Sequence, residues 1–277
     1  MTKTAVITGT STGVGHGAAK ALIAAGYRVI ATVRRTADAE RLKRELGENL
    51  HPVLCDVTNP EQVAMLPDHV KSVSENGWLD VLINNAGIEL IGPAELQSME
   101  DIRALFETNV FGLMAVTKAL LPVLGTDPNA KDHKGRIVNI SSIGGVLALP
   151  LLSSYAATKH AVEGYSHSLR RELRKLGIKV IIVGPGAIKS AIWSKHLPKM
   201  YEGTAYETSM AKIKAMMQSA ERTAATEDSI GAYIRTLLEA RSPKARYVFT
   251  PGRLQNWTIP TSLPHGWVDG LVGKMLD

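Results

Sequence analysis

The sequence predicts one α/β domain built on a doubly wound parallel sheet of about seven strands, with helices on both faces. Short apolar runs alternate with amphipathic segments along most of the 277 residues. The runs are continuously apolar rather than alternating, as expected of strands covered on both sides. A glycine-rich turn joins the first run to the first helical segment, the position at which a parallel sheet opens its crevice.

The elements follow in order. Ala5–Ile7 reads as a buried strand ended by Thr8 and Gly9. A helical pattern runs from Val14 to Ala25 and stops at Gly26. Val29–Val33 is the second strand, and residues 37–46 form a helix with Glu40, Arg41, Lys43, Arg44 and Glu45 on its wet face. Pro52–Cys55 is the third strand, with Cys55 expected as a small buried strand residue. Residues 60–75 form a weaker helix because Pro67 interrupts them. Val81–Ile83, Arg136–Ile140, Val180–Val183 and Tyr247–Phe249 supply the remaining strands. Helices are expected at 100–121, 154–175 and 227–239, and a surface loop at 125–134. No Pro-, Gly- or Ser-rich linker divides the chain, so residues 1–277 read as one unit. Within it, the Met- and Ala-rich stretch 187–222 is expected to form a flap over a cleft. Residues 251–277 form a C-terminal extension with no assigned structure.

Composition excludes several classes. Hydrophobic residues at 45% and charged residues at 21% suit a folded domain rather than a disordered chain. A single cysteine rules out an intrachain disulfide and points to a reducing, cytoplasmic setting. The net charge of +6 is scattered, with no basic stripe or reading motif, so no nucleic-acid partner is expected. No window approaches about 18 consecutive apolar residues, and no secretory leader can be fitted, so no stable membrane insertion is expected. The histidines show no metal-ligand spacing, and no metal is expected.

Three motifs carry chemistry. Thr8–Gly15 reads T-G-T-S-T-G-V-G between a strand and a helix, where backbone N–H groups and the helix dipole favour a phosphate. The carboxylate that usually binds a dinucleotide ribose, about 20 residues on, is replaced by Arg34 and Arg35. An arginine there could pair with a 2′-phosphate at about 1.5–3 kcal/mol, which favours NADP over NAD; the alternative is a solvated arginine pair opening a loop. Tyr155 and Lys159 are four apart on one helix face, and Ser142 follows the fifth strand. A tyrosine acting as acid and base near neutrality needs its pKa lowered from about 10, and a nearby ammonium shifts it that way. Taken singly, each of these residues reads better as part of an exposed pair or as a turn serine.

Together they resemble the short-chain dehydrogenase/reductase family over roughly residues 3–250. The matching pieces are T-G-x3-G-x-G at Thr8–Gly15, N-N-A-G at Asn84–Gly87, Asn109, Ser142, Tyr155-x3-Lys159 and Pro185-Gly186. The resemblance implies a Rossmann-like fold and an NADP(H)-preferring oxidoreductase that passes hydride between nicotinamide and a carbonyl/alcohol pair. It implies Tyr155 as proton donor and acceptor and Ser142 as holder of the substrate oxygen. Lys159 would lower the tyrosine pKa and bind the nicotinamide ribose, and Asn109 would anchor a water leading to Lys159. Gly9, Thr10, Ser11, Gly13, Val14 and Gly15 would border the phosphates, with Arg34 and Arg35 at the 2′-phosphate. Asp56 and Val57 would border the adenine, and Asn84, Ala86 and Gly87 the centre of the cofactor. Pro185, Gly186, Ile188 and Ser190 would meet the nicotinamide end, Ser190 standing where the family more often has threonine. Thr12 occupies a place where many NADP-using members carry a basic residue, so the cofactor preference rests on Arg34.

Ile143, Leu149, Leu152, Ala187 and Trp193 are the expected substrate wall, with Ser142 and Tyr155 at its polar end; Ile88 is a further candidate. That wall favours a hydrophobic ketone, aldehyde or secondary alcohol. Glu89 is the odd residue there and is expected to face solvent. By resemblance, a homodimer or homotetramer forms through the helices at 100–121 and 154–175. A dinucleotide-sensing protein without turnover is the alternative on the same fold; it would need none of Asn109, Ser142, Tyr155 and Lys159 for binding.

Overall fold

A computed structural model describes residues 1–130, 133–189 and 200–276. Seven parallel strands form one sheet in the order β3-β2-β1-β4-β5-β6-β7. They are β1 (Thr4–Ile7), β2 (Arg28–Val33), β3 (Leu50–Leu54), β4 (Val81–Asn84), β5 (Arg136–Ile140), β6 (Lys179–Pro185) and β7 (Arg246–Phe249). The helices are α1 (Gly13–Ala24), α2 (Thr36–Leu46), α3 (Pro60–Ala64), α4 (Leu66–Val73), α5 (Met99–Phe106), α6 (Leu113–Leu121), α7 (Ser153–Glu172), α8 (Glu207–Thr223) and α9 (Glu227–Glu239).

The continuous apolar runs have a simple cause. Ala5 and Ile7 point to one face and pack with Ala18, Leu22, Ile230 and Ile234 of α1 and α9. Val6 points to the other and packs with Leu66, Val70, Val116, Leu120 and Leu169 of α4, α6 and α7. Every position of β1 and β4 is buried. Because the strand order reverses between β1 and β4, their C-terminal loops diverge and leave a crevice between them.

Two expectations change. Residues 60–75 split into α3 and α4 around Met65, with Pro67 in the first turn of α4, where its missing N–H costs nothing. The segment 125–134 is not wholly a surface loop: Gly125 and Ala130 are buried, and the His133 ring stacks on Trp78 and meets the Leu79 carbonyl. The helical run Met99–Thr126 is long and apolar enough by composition to cross a membrane, yet 56% of its apolar window is buried. It lies against the sheet, with Val116, Leu120, Val123 and Leu124 in the core. Cys55 lies just past β3 and is buried, and that burial pushes its thiol up to about 11. The C-terminal extension is helical at Leu254–Thr258, Ile259–Ser262 and His265–Leu276, the last packing on α8.

Helices α1 and α9 meet backbone to backbone. A Cβ on Gly17 would strike the Glu227 carbonyl, and one on Gly231 would strike the Gly17 carbonyl. Gly231→Ala is therefore expected to destabilise by about 1–3 kcal/mol, lowering the calorimetric melting temperature by several degrees. Gly164→Ala, on an open face of α7, is expected to hold or raise it, since helical glycine costs about 1 kcal/mol against alanine. Equal melting temperatures for the two variants would contradict the close crossing.

Candidate active site

The crevice is held open by a small polar knot. Thr8 Oγ1 accepts from the backbone N–H groups of Asn85 and Ala86, both at 2.9 Å. The Asn85 side-chain amide donates to the carbonyls of Thr8 and Gly9 at 2.9 and 2.8 Å. This joins the loops after β1 and β4. Gly9 has a positive φ of 68°, and its Cβ would lie 2.8 Å from Ala86 Cα. A Cβ on Gly15 would strike the Asn85 amide and the Gly9 carbonyl. Both glycines are thus required by loop packing before any phosphate is considered.

The turn suits an anion. Thr12, at the N-cap of α1, makes no side-chain cap, and the first turn of the helix carries no acidic residue. Glu227, from the start of α9, accepts from the Gly13 N–H and holds His16 Nδ1 at 2.7 Å. His16 Nε2 lies 3.0 Å from Glu45, and the hydrogen bond to Glu227 raises its pKa against the opposing effect of burial. The Thr10 side chain is buried and donates to the Thr32 carbonyl, so it faces β2. Arg41 donates to the Ser11 carbonyl at 2.6 Å, which puts a guanidinium beside the turn that the sequence reading placed only on a wet helix face. Arg35 is engaged with Asp38 at 2.8 Å. Arg34 is exposed at the end of β2 and forms no ion pair among the described residues.

The expected catalytic residues gather at the C-terminal ends of β4 and β5. Asn109 sits in a π-helical turn, Glu107–Gly112, between α5 and α6. That turn puts its side chain against the loop after β4, where Oδ1 accepts from Ile88 N–H and Nδ2 donates to Ile88 O, each at 2.8 Å. Thr158 Oγ1 accepts a further bond from Nδ2 at 3.1 Å. Lys159 projects from α7, 6% exposed, and donates to the Ile140 carbonyl at 3.1 Å. Its Nζ lies 5.7 Å from the centre of the Tyr155 ring. Tyr155 hydrogen-bonds Ser142, and Ser142 Oγ accepts from Gly144 N–H at 3.0 Å.

The electrostatics reverse one expectation. Burial pushes the Tyr155 phenol well above its ordinary value, Glu89 adds to that, and the Ser142 hydrogen bond opposes it. Burial also pushes Lys159 down to about 8, against the carboxylates of Glu89 and Glu163. At 5.7 Å from the ring centre, with one proton given to Ile140, the ammonium does not outweigh desolvation of the phenolate. The balance at Tyr155 therefore favours the neutral phenol over the phenolate. Glu89 does not sit free in solvent: it is partly buried, and its own pKa is raised by that burial, with Lys159 opposing.

Sequence reasoning missed a supporting residue. Arg246 of β7 donates through Nε to both Glu163 oxygens, at 3.1 and 3.0 Å, and through Nη2 to the Ser142 carbonyl at 3.2 Å. Trp257 of the C-terminal extension covers this guanidinium, its ring centre 4.4 Å from Cζ. No local pattern links positions 142, 163, 246 and 257; only the adjacency of β6 and β7 does.

Other expected residues fall on both sides of the crevice lining. Ala86 and Gly87 lie in the joined loop, and a Cβ on Gly87 would lie 3.7 Å from Lys159 Nζ. Asn84 does not face the crevice: its amide donates to Thr117 and Asn139 in the interior, and Asn85 makes the loop contacts. Asp56 Oδ1 accepts from Thr58 N–H and Oγ1, and Val57 packs under Gly112 in the core. Pro185 ends β6, and Gly186 N–H donates to the Phe249 carbonyl. The Ala187 carbonyl accepts from Ala225, while Ile188 is buried in the core on the α9 side. Ile143 opens a short 3-10 turn after Ser142. Leu149 is exposed, and Leu152 is the N-cap of α7. Ser190 and Trp193 lie outside the described residues.

The family model for short chain dehydrogenases matches residues 3–201. The NADPH-dependent 3-dehydrocapnine reductase of Ornithobacterium rhinotracheale is 32% identical, over 98% of this chain and 96% of its own. A solved short-chain dehydrogenase from Streptomyces avermitilis superposes with a TM-score of 0.79 at 31% identity, covering 99% of this chain and 95% of that one. A 3-ketoacyl-(acyl-carrier-protein) reductase from Brucella melitensis, solved with NADH, gives 0.76 at 25% identity, covering 91% and 98%. With this fold, the glycine turn and these likenesses, the chain belongs to the short-chain dehydrogenase/reductase family of nicotinamide-dependent oxidoreductases.

Proposed function

We propose that this protein is an NADP(H)-preferring carbonyl reductase acting on hydrophobic ketones or aldehydes, or in reverse on the corresponding secondary alcohols. The observation that carries the reading is the convergence of Tyr155, hydrogen-bonded to Ser142, with Lys159 one helical turn away, at the mouth of the crevice that the glycine turn also lines. A nicotinamide cofactor, when bound, supplies the hydride. Ser142 donates to the carbonyl oxygen, where charge builds up. As the new C–H bond forms, the carbonyl π pair moves to oxygen and takes the Tyr155 proton, leaving the alcohol. Burial suits Tyr155 to this role by keeping it protonated near neutrality. Lys159, buried beside it, is placed to return a proton to the phenolate.

Arg34 supports the NADP preference as a guanidinium with no ion pair among the described residues. Ile143, Leu149 and Leu152 would form the apolar wall, and, of the expected flap 187–222, the part from residue 200 on would close over it, residues 190–199 lying outside the described residues. That closure is supported by the Tyr201 ring packed on Gly92 and by Tyr206 donating to Glu95 at 2.9 Å. Exposed Met99 and Phe111 on the run that holds α5 and α6 support pairing of subunits there, as a homodimer or homotetramer. A cytoplasmic location belongs to the same reading and rests on the lone buried thiol, Cys55.

Tyr155→Phe is expected to cut kcat for ketone reduction at least about 100-fold, with NADPH binding by fluorescence within threefold of wild type, on the order of 0.6 kcal/mol. Near-normal turnover would remove Tyr155 from the chemistry. Arg34→Asp is expected to shift the NADPH/NADH ratio of kcat/KM toward NADH by about ten- to a hundredfold. An unchanged ratio would place the phosphate contact elsewhere.

A further inference from the structure

Glu89 is a carboxylate in a place where a neutral-ketone reductase gains nothing from one. Its main chain is fixed, because Asn109 binds both polar groups of Ile88, the residue before it. Its side chain is partly buried and close enough to act electrostatically on both Tyr155 and Lys159. No hydrogen bond to its carboxylate is formed among the described residues. The other carboxylate that acts on Lys159, Glu163, differs in this respect, being paired with Arg246 at 3.0 Å. Lys159 is the cation that faces Glu89, and it already donates to Ile140.

A partly desolvated anion without a hydrogen-bonded partner is costly. Here it also works against the phenolate that Tyr155 must become, since like charges disfavour each other. Both penalties vanish if the substrate brings a positive charge to this spot. The ammonium would satisfy the carboxylate and screen Tyr155 from it. Ile143, Leu149 and Leu152 of the proposed wall would take an apolar remainder.

We propose that Glu89 is a specificity-determining residue that selects ketones carrying a protonated primary amine within two or three bonds of the carbonyl, on an otherwise apolar skeleton. This rests on the reductase reading above and narrows its substrate class.

The test compares 1-amino-2-undecanone with 3-dodecanone, which replaces the amine by a methyl group, using the full-length protein and NADPH near neutral pH. Wild type is expected to show kcat/KM at least about tenfold higher for the amino ketone, as one charge-assisted hydrogen bond supplies. In Glu89→Gln the ratio of the two values is expected to fall to near one. Inhibition of the wild type gives a measure independent of how the variant folds. Decylammonium should compete with 3-dodecanone at a concentration about tenfold lower than 1-decanol does. Equal kcat/KM for the two ketones, with decylammonium and decanol inhibiting alike, would overturn the proposal and leave the reductase reading intact. A preference that survives Glu89→Gln would assign cation selection to another group and overturn the role of Glu89. Failure to reduce either ketone would count against the reductase reading itself, and the proposal would fall with it.

Discussion

The knot between Thr8 and Asn85 is the constraint on which the rest of the site depends. A parallel sheet whose order reverses between β1 and β4 drives the two following loops apart. Nothing in the sheet itself sets how far apart they come to rest. One threonine hydroxyl and one asparagine amide set it, through four hydrogen bonds at 2.8–2.9 Å. The glycine turn is then fixed against Ala86, and the continuing loop carries Gly87, Ile88 and Glu89 to Asn109 and Lys159. The glycine turn and the cluster of Tyr155 and Lys159 thus share one mechanical reference, although their residues lie more than a hundred positions apart.

Much of the fold was legible in the sequence because strands buried on both faces announce themselves as unbroken apolar runs. Ala5–Ile7 and Val81–Ile83 are such cases, and both fell within a residue of the observed strands. What the pattern could not carry was backbone detail. A π turn at Glu107–Gly112 leaves the apolar spacing almost unchanged, so residues 100–121 read as one ordinary helix. The close crossing of α1 and α9 was hidden for a related reason: Gly17 and Gly231 are single glycines inside helical patterns, and only their approach in space gives them meaning.

In the site, the residues that could be named were those whose spacing is local. Tyr155 and Lys159 are one turn apart, and Arg34 ends a strand. Orientation was harder. Asn84 and Asn85 are adjacent, and strand alternation sends the first inward and leaves the second to tie the loops. The direction of the Tyr155 shift depended on burial and Glu89 outweighing the Ser142 hydrogen bond, a balance that no spacing encodes. Glu89 looked solvent-directed for the same reason. Arg246 and Glu227 reach the site from distant strands and helices, where sequence proximity gives no signal.

Asn109 grips Ile88 only by its main-chain N–H and carbonyl. A grip of that kind is indifferent to the side chains along the loop it fixes. Positions 88 and 89 can therefore change identity by single substitutions while the backbone, Lys159 and Tyr155 keep their places. On the proposed function, the scaffold separates the part that would stay constant for proton transfer from the part that would choose the substrate. On that reading, new substrate ranges would arise here by point mutation, without any redesign of the catalytic frame.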